Sequence, residues 1–168
     1  MPAQPGRRLL SGPRLTKIAI LGAGSIGCFV GGCWQVAGLD VRFIGRERFG
    51  HALAERGLTL SDYSGWRASL PPDEIEYEVG PRALADAHII ALTDKSAATA
   101  EAARQIRDHC RSGATVISLQ NGISNVDVLK RELGDRYAVV RGMVPYNVAY
   151  LGDGRFHKGV AGDLFADD

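Results

Sequence analysis

The sequence predicts an α/β fold in which helices cover both faces of a doubly wound, mainly parallel sheet. Short continuous apolar runs, typical of buried parallel strands, alternate along the chain with segments of helical periodicity. The first of these runs is followed directly by the glycine pattern Gly22-Ala23-Gly24-Ser25-Ile26-Gly27. A strand, a tight glycine turn, a helix and a second strand in this order are typical of the first half of a dinucleotide-binding unit. The predicted fold is therefore Rossmann-like.

The predicted dinucleotide-binding unit consists of a strand at Ile18–Leu21, a helix from Ser25 to about Ala37 and a strand at Val41–Ile44. In its turn, Gly22 allows a sharp bend and Gly24 lets the backbone come close to a pyrophosphate, whereas Gly27 lets the helix pack closely on the first strand. The helix N-terminus adds unpaired N–H groups and a partial positive charge. We therefore expect residues 22–27 to bind the pyrophosphate of a dinucleotide.

The first predicted helix contains residues that are unusual for a helix interior. Gly31 and Gly32 each cost roughly 1 kcal/mol relative to alanine at such positions. They indicate either that this helix packs very closely against a neighbour or that it frays. Cys28 and Cys33 on the same helix are interpreted as small apolar residues.

The residue that follows the second strand indicates which dinucleotide is bound. Proteins that bind NAD place Asp or Glu about 20 residues after the glycine motif, where it bonds the ribose 2′-hydroxyl. This chain has Arg46 near that position, with Arg48 next but one. A guanidinium group matches a 2′-phosphate dianion and offers no acceptor to a free hydroxyl. Arg46 therefore predicts NADP(H) rather than NAD(H), and a solvated loop arginine is the alternative left open.

The remaining elements continue the alternation after an irregular excursion between the second and third strands of the predicted main sheet. In chain order, the sequence predicts a helix at Arg48–Arg56, a hairpin of Leu58–Leu60 with Trp66–Leu70, a short strand at Tyr77–Val79, a strand at His88–Leu92, a helix from Ser96 to about Cys110, a strand at Thr115–Leu119, a helix at Val126–Leu133 and strands at Tyr137–Arg141 and Arg155–Lys158.

Polar residues follow the carboxyl ends of the predicted parallel strands, namely Arg46, Thr93, Lys95 and Asn121. In an open parallel sheet these ends form the ligand crevice, so we expect the four side chains to meet there and bind the cofactor. Lys95 would face the phosphates or a ribose, unless it is a solvated lysine. The Asn121 amide can both donate and accept, which suits a nicotinamide, a ribose or a substrate carbonyl. A simple turn at Asn121 and Gly122 is the alternative.

Composition excludes several classes of protein. The chain has 168 residues and a net charge of +1, which predicts one domain and no binding to nucleic acid or to an anionic membrane. No apolar run approaches the roughly 20 residues of a membrane span. The three cysteines lack metal-site spacing and predict reduced thiols, no metal and a cytoplasmic location. Residues 1–16 are predicted to be a disordered tail, an added segment or a weak targeting peptide, and residues 17–168 form the domain.

The motifs together resemble the N-terminal half of the ketopantoate reductases (2-dehydropantoate 2-reductases). The resemblance extends over about residues 17–164 and rests on the segments Gly22–Gly27, Arg46, Leu92-Thr93-Asp94-Lys95, Gln120-Asn121-Gly122 and Phe156-His157-Lys158-Gly159. It implies NADPH-dependent reduction of 2-dehydropantoate to pantoate, a step toward pantothenate and coenzyme A. It also implies that Lys95 contacts the cofactor and that Asn121 touches both cofactor and substrate, which makes Asn121 the candidate catalytic residue.

In that family a second, helical domain supplies a lysine that acts as general acid on the ketone oxygen. None of the four lysines, Lys17, Lys95, Lys130 and Lys158, matches that position. We therefore expect the C-terminal helical domain to be absent and this chain to supply the cofactor-binding half, with strongly impaired turnover on its own. An exposed apolar face left by such a domain predicts self-association, for example as a homodimer.

Two other functions are left open by the sequence. One is a non-catalytic NADP(H)-binding module, which the missing general acid favours. The other is a related dehydrogenase that acts on a different 2-oxo acid, because the predicted nucleotide-binding half carries little of the substrate choice.

Overall fold

The computed structural model describes residues 16–122 and 124–167, so the predicted tail lies outside the described residues except for Thr16. The strands are β1 Lys17–Leu21, β2 Asp40–Ile44, β3 Leu58–Asp62, β4 Arg67–Leu70, β5 Glu76–Glu78, β6 Ile89–Leu92, β7 Thr115–Ser118, β8 Ala138–Met143, β9 Val148–Tyr150, β10 Arg155–Lys158 and β11 Phe165–Ala166. The α-helices are α1 Ser25–Val36, α2 Glu47–Arg56, α3 Thr99–His109 and α4 Ser124–Leu133.

The main sheet has seven strands within the described residues, in the order β11-β8-β7-β6-β1-β2-β5. Strands β8 to β5 in this order pair in parallel, and β11 pairs antiparallel with β8. The mainly parallel sheet that the sequence predicts is therefore confirmed. The change of direction lies at β1 and β6, since the chain builds outward from β1 first toward β2 and later toward β7.

Alternate residues of β1 face opposite sides of this sheet, as the period of a strand requires. Ile18 and Ile20 belong to the apolar cluster that also contains Cys28, Phe29 and Val30 of α1. Their neighbours Ala19 and Leu21 belong to a second cluster, which includes α3 and α4 residues such as Ala102, Ile106, Leu129 and Leu133. Helices thus cover both faces, and the doubly wound Rossmann-like fold is confirmed.

A second, four-stranded sheet lies on the other side of α1, in the order β4-β3-β10-β9. The predicted hairpin is confirmed as β3 and β4, and β10 adds parallel to β3. A hydrogen bond of 2.9 Å between Ser61 and the Nδ1 atom of His157 joins these two strands. The two short strands β9 and β11 were not predicted from the sequence.

The position of α1 between two sheets explains its glycines. A Cβ atom on Gly31 would lie 2.6 Å from Phe43 and 2.7 Å from Ile20 of the main sheet. A Cβ atom on Gly32 would lie 2.6 Å from Leu58 of the small sheet. The apolar sequence all round α1 is that of a helix buried on every side. Of the two interpretations of these glycines, close packing is therefore the one that the geometry supports.

Candidate cofactor-binding cleft

A cleft of about 990 Å³ runs along the carboxyl ends of the parallel strands of the main sheet. Its lining includes nearly all the site residues predicted from the sequence, which come from four different strand ends: residues 22–26, Arg46, Thr93, Lys95 and Asn121. Gly27 is absent from the lining because it is buried beneath the turn. These residues thus lie together along one edge of the sheet.

The cleft is elongated, because its polar residues follow different strands of the sheet. Arg46 follows β2 and Asn121 follows β7, with β1 and β6 between them. Three inter-strand spacings of about 4.8 Å separate these two ends by roughly 14 Å. The glycine turn after β1 lies at the centre. This arrangement suits a long ligand with its anionic part in the middle.

The glycine turn is held from below by hydrogen bonds to the neighbouring strand. The N–H groups of Gly22 and Ala23 both donate to the carbonyl of Ile44 at 2.9 Å. The turn needs the positive φ of 90° at Gly22, a conformation that favours glycine. The N–H groups that remain for a ligand are those of the first turn of α1, beginning at Ser25, which have no acceptor within the helix.

Two glycines of this turn differ in what surrounds them. A Cβ atom on Gly24 would meet only the carbonyl oxygen of Gly22, at 3.8 Å, so the protein itself leaves room for a side chain there. A Cβ atom on Gly27 would lie 2.6 Å from Oγ1 of Thr93 and 2.9 Å from Ile20. Packing therefore requires glycine at 27 but not at 24. The open space over Gly24, beside free N–H groups, fits a pyrophosphate that approaches the backbone closely.

Arg46 is exposed at the N-terminal end of α2, and its backbone is fixed by an aromatic neighbour. The hydroxyl of Tyr77 donates to the carbonyl of Arg46 at 2.8 Å. A Cβ atom on Gly45 would lie 2.5 Å from the Tyr77 hydroxyl oxygen and one on Gly50 would lie 2.8 Å from its ring, so Tyr77 packs directly on this loop. Burial raises the pKa of the Tyr77 hydroxyl, which stays a hydrogen-bond donor. Sequence analysis did not indicate this support, because Tyr77 belongs to the irregular excursion.

Thr93 and Asp94 connect the end of β6 to the glycine turn. The Thr93 hydroxyl donates to the carbonyl of Gly22 at 2.8 Å, so Thr93 stabilises the turn from the neighbouring strand. Asp94 lies over Gly22 and lines the cleft. Burial raises the pKa of the Asp94 carboxyl group, and the charge of Arg46 lowers it to a smaller extent.

A cluster of polar side chains, here called the amide cluster, lies beneath the loops that carry Lys95 and Asn121; its members are the exposed Ser96 and the buried residues Thr99, Gln120 and Asn125. The Nε2 group of Gln120 donates to the carbonyl of Asp94 and to the hydroxyl of Thr99, both at 3.0 Å. Gln120 thereby ties the end of β7 to the loop that follows β6.

Asn125 completes the amide cluster from α4. Its Nδ2 group donates to the carbonyl of Asn121 at 2.7 Å and to the hydroxyl of Ser96 at 3.0 Å. The Ser96 hydroxyl in turn donates to the same Asn121 carbonyl at 2.5 Å. These bonds leave the side chain of Asn121 exposed on the cleft. The turn at Asn121 and Gly122, where Gly122 has a φ of 107°, is therefore part of a cross-braced loop.

Comparison with known proteins places this geometry in a family. The family model described as ketopantoate reductase PanE/ApbA matches residues 18–166. The chain belongs to this family. Proteins named 2-dehydropantoate 2-reductase from Pyrococcus abyssi and Pyrococcus horikoshii are 38% identical over 111 residues and 39% identical over 120 residues. These matches cover 66% and 71% of this chain but 35% and 37% of the relatives.

A solved structure gives the same result for the ketopantoate reductase family. The crystal structure of a PanE/ApbA family ketopantoate reductase from Ralstonia eutropha JMP134 superimposes with a TM-score of 0.81 at 30% identity. The superposition covers 90% of this chain and 49% of the Ralstonia eutropha protein. The chain thus spans half or less of the length of these relatives.

Beyond Asn121, the cleft of this family member continues along the segment after β8. Val144, Tyr146 and Asn147 line it there, next to β7 in the sheet. Burial raises the pKa of Tyr146 to about 12, and Nζ of Lys158 lies 4.2 Å from the centre of its ring. Sequence analysis missed this segment, because no periodicity marks it. Its place directly after a strand of the parallel sheet was the available signal.

Proposed function

We propose that this chain binds NADP(H) in the cleft and provides the cofactor-binding half for reduction of 2-dehydropantoate to pantoate. The observation that carries the proposal is the meeting of four elements in one elongated cleft. These are a glycine turn with space over Gly24, a guanidinium at one end, the Lys95 ammonium group, and the Asn121 amide at the other end. The names of the Pyrococcus relatives supply the reaction.

The phosphate-bearing form of the cofactor is proposed because of charge. The cleft lining contains Arg46, Arg48 and Lys95, and Asp94 is its one carboxylate among the described residues. A 2′-phosphate dianion beside Arg46 can form bidentate, charge-assisted hydrogen bonds, which a hydroxyl cannot. The N-terminus of α1 and Lys95 complement the pyrophosphate.

The chemistry that the bound nicotinamide supplies is hydride donation to the ketone carbon. This reaction leaves negative charge on the ketone oxygen, which has to be stabilised and then protonated. The Asn121 side chain is an exposed amide at the nicotinamide end of the proposed cofactor, and its N–H groups can donate to such an oxygen. We assign Asn121 the role of orienting and stabilising the carbonyl, since an amide does not act as a proton source.

The binding step is tested by fluorescence titration with NADPH and NADH, using the wild type and Arg46→Ala. Loss of a charge-assisted contact should weaken NADPH binding at least tenfold and change NADH binding by less than about threefold. Arg67→Ala removes an exposed arginine of β4, remote from the cleft, and should change neither affinity. Equal affinities of the wild type for the two cofactors would exclude the role of Arg46 in selecting NADP(H).

The reaction itself is tested by following NADPH oxidation in the presence of 2-dehydropantoate, with pyruvate as the comparison substrate. Faster oxidation with 2-dehydropantoate supports the proposed substrate, and Asn121→Ala should then slow it about 100-fold. Faster oxidation with pyruvate would indicate a different 2-oxo acid. Tight NADPH binding with no oxidation by either substrate would agree with the strongly impaired turnover expected of a cofactor-binding half alone, and it would not separate that half from a non-catalytic module.

A further inference from the structure

We propose that the Asp94 carboxylate accepts a hydrogen bond from the 3′-hydroxyl of the adenosine ribose of the cofactor. This inference deepens the proposed function and rests on it, because it assumes that a nicotinamide dinucleotide occupies the cleft. It makes Asp94 a binding residue that complements Arg46, with the carboxylate on one ribose oxygen and the guanidinium on the neighbouring phosphate.

The first argument is the position of the carboxyl group. A Cβ atom built on Gly22 would lie 2.5 Å from Cγ and 2.6 Å from Oδ1 of Asp94, so the carboxylate lies against the first glycine of the turn. The residue also lines the cleft. Its backbone is held in place because its carbonyl accepts the 3.0 Å hydrogen bond from Gln120. The carboxylate is therefore a fixed part of the wall beside the proposed pyrophosphate site.

The second argument is that this acceptor is unused by the protein. Among the residues that the structure describes, none donates a hydrogen bond to the Asp94 side chain, although Asp94 is half-buried. The Asp94 oxygens are open to solvent, so a ligand hydroxyl can donate to them without displacing a protein partner. Burial keeps the pKa of Asp94 above its usual range, in agreement with this missing donor.

The third argument selects the ligand group. An ionised carboxylate only accepts hydrogen bonds, and it repels phosphate, so its partner in a dinucleotide is a hydroxyl or an amide N–H. Asp94 lies against Gly22 at the end of β1, the strand that pairs with β2, and Arg46 at the end of β2 is the cation whose charge acts on the carboxylate. In the proposed NADP(H) complex the 2′-oxygen there is phosphorylated. The 3′-hydroxyl is then the ribose donor that remains.

The test is a double-mutant cycle between Asp94 and the hydroxyl group, measured by calorimetric titration. Wild type and Asp94→Ala are each titrated with ADP, 3′-deoxy-ADP and 2′-deoxy-ADP, which retain the adenosine half and lack the nicotinamide. Loss of the 3′-hydroxyl should weaken binding to the wild type about tenfold and binding to Asp94→Ala less than twofold. Loss of the 2′-hydroxyl should have the same small effect on both proteins. The cycle removes the general effect of deleting a negative charge, because that effect is common to all three ligands.

Several results would overturn the inference. An equal 3′-deoxy penalty in both proteins would mean that Asp94 does not contact this hydroxyl. A penalty that depends on Asp94 only for 2′-deoxy-ADP would assign the residue to the 2′-position and favour NAD. Failure of the wild type to bind NADPH, NADH and ADP alike would instead refute the proposed function and this inference with it. Asp135→Asn, an exposed charge change in a turn remote from the cleft, is the control, and thermal unfolding confirms that Asp94→Ala is folded.

Discussion

At the scale of single residues, Gly24 and Gly27 are expected to respond in opposite ways to the same substitution. Gly27→Ala places a methyl group against Thr93 and Ile20 and should lower the free energy of unfolding by about 1–3 kcal/mol. Gly24→Ala meets no close neighbour and should lower it by no more than about 1 kcal/mol, the cost of alanine as a helix N-cap. Its methyl group occupies the space proposed for the pyrophosphate, so NADPH affinity should fall more than tenfold.

Urea unfolding and NADPH titration of the two variants check this pair of expectations. Gly159→Ala is the control, because Gly159 has open space around it and no positive φ. Gly113→Ala is unsuitable, because the φ of 89° at Gly113 would strain an alanine. Undiminished NADPH binding by Gly24→Ala would contradict the location proposed for the pyrophosphate.

Residue types and strand ends were enough to predict much of the cleft. Arg46, Lys95 and Asn121 could be assigned to it because each follows a recognisable buried strand. Gln120 and Asn125 could not, because their partners are decided by how two loops meet in space. The hydrogen bond from Asn125 to Ser96, for example, joins residues 29 positions apart. The position of Asp94 after a strand could be predicted, but the absence of a hydrogen-bond donor to its carboxylate among the described residues is a property of the folded structure.

At the scale of elements, the amide cluster joins the loop after β6 to the start of α4. Asn125→Ala removes the donor to Asn121 and Ser96 and also an acceptor of the buried Thr99 hydroxyl. It should lower the free energy of unfolding by about 1–3 kcal/mol, and Gln120→Ala should do the same. The double variant should lose less free energy of unfolding than the two single variants together, because both residues brace the same pair of loops.

Urea unfolding of the two single variants and the double variant measures this coupling. Lys130→Ala, on the exposed side of α4, is the matched control and should stay within about 0.5 kcal/mol of the wild type. Strict additivity would show that the two amides act independently.

The small sheet marks the limit of prediction from elements. Its hairpin was predictable because β3 and β4 are adjacent in the chain. The parallel pairing of β10 with β3 was not, since Ser61 and His157 are 96 positions apart and nothing local indicates the partner. The double glycine in α1 was the one sequence signal of a second layer against this helix.

At the scale of the whole molecule, charges are arranged differently at the two edges of the main sheet. The edge opposite the cleft has a network in which Asp86 pairs with both Lys17 and Arg42, and Arg42 also pairs with Glu76. This network joins β1, β2 and β5 to the turn before β6. The hydrogen bond from Lys17 and, to a smaller extent, the Arg42 guanidinium lower the pKa of Asp86.

A pKa lowered by folding means that Asp86 contributes stability above its unfolded pKa of about 4, and that this contribution is lost as the pH falls. Because Asp86 is about half exposed, we expect Asp86→Asn to lower the free energy of unfolding by no more than about 1 kcal/mol at pH 7. The difference from the wild type should shrink below about pH 4 and in high salt. Urea unfolding at several pH values checks this, with Asp73→Asn as the exposed control.

The burial of α1 between two sheets has a consequence for synthesis of the protein on the ribosome. The glycine turn and α1 emerge early, yet β9 and β10, which complete the second cover of the helix, lie near the far end of the described chain. Until Lys158 has left the exit tunnel, part of the apolar helix surface faces water and is open to aggregation or to chaperones. The segment that begins the cofactor site is thus among the first to be made and among the last to reach its final surroundings.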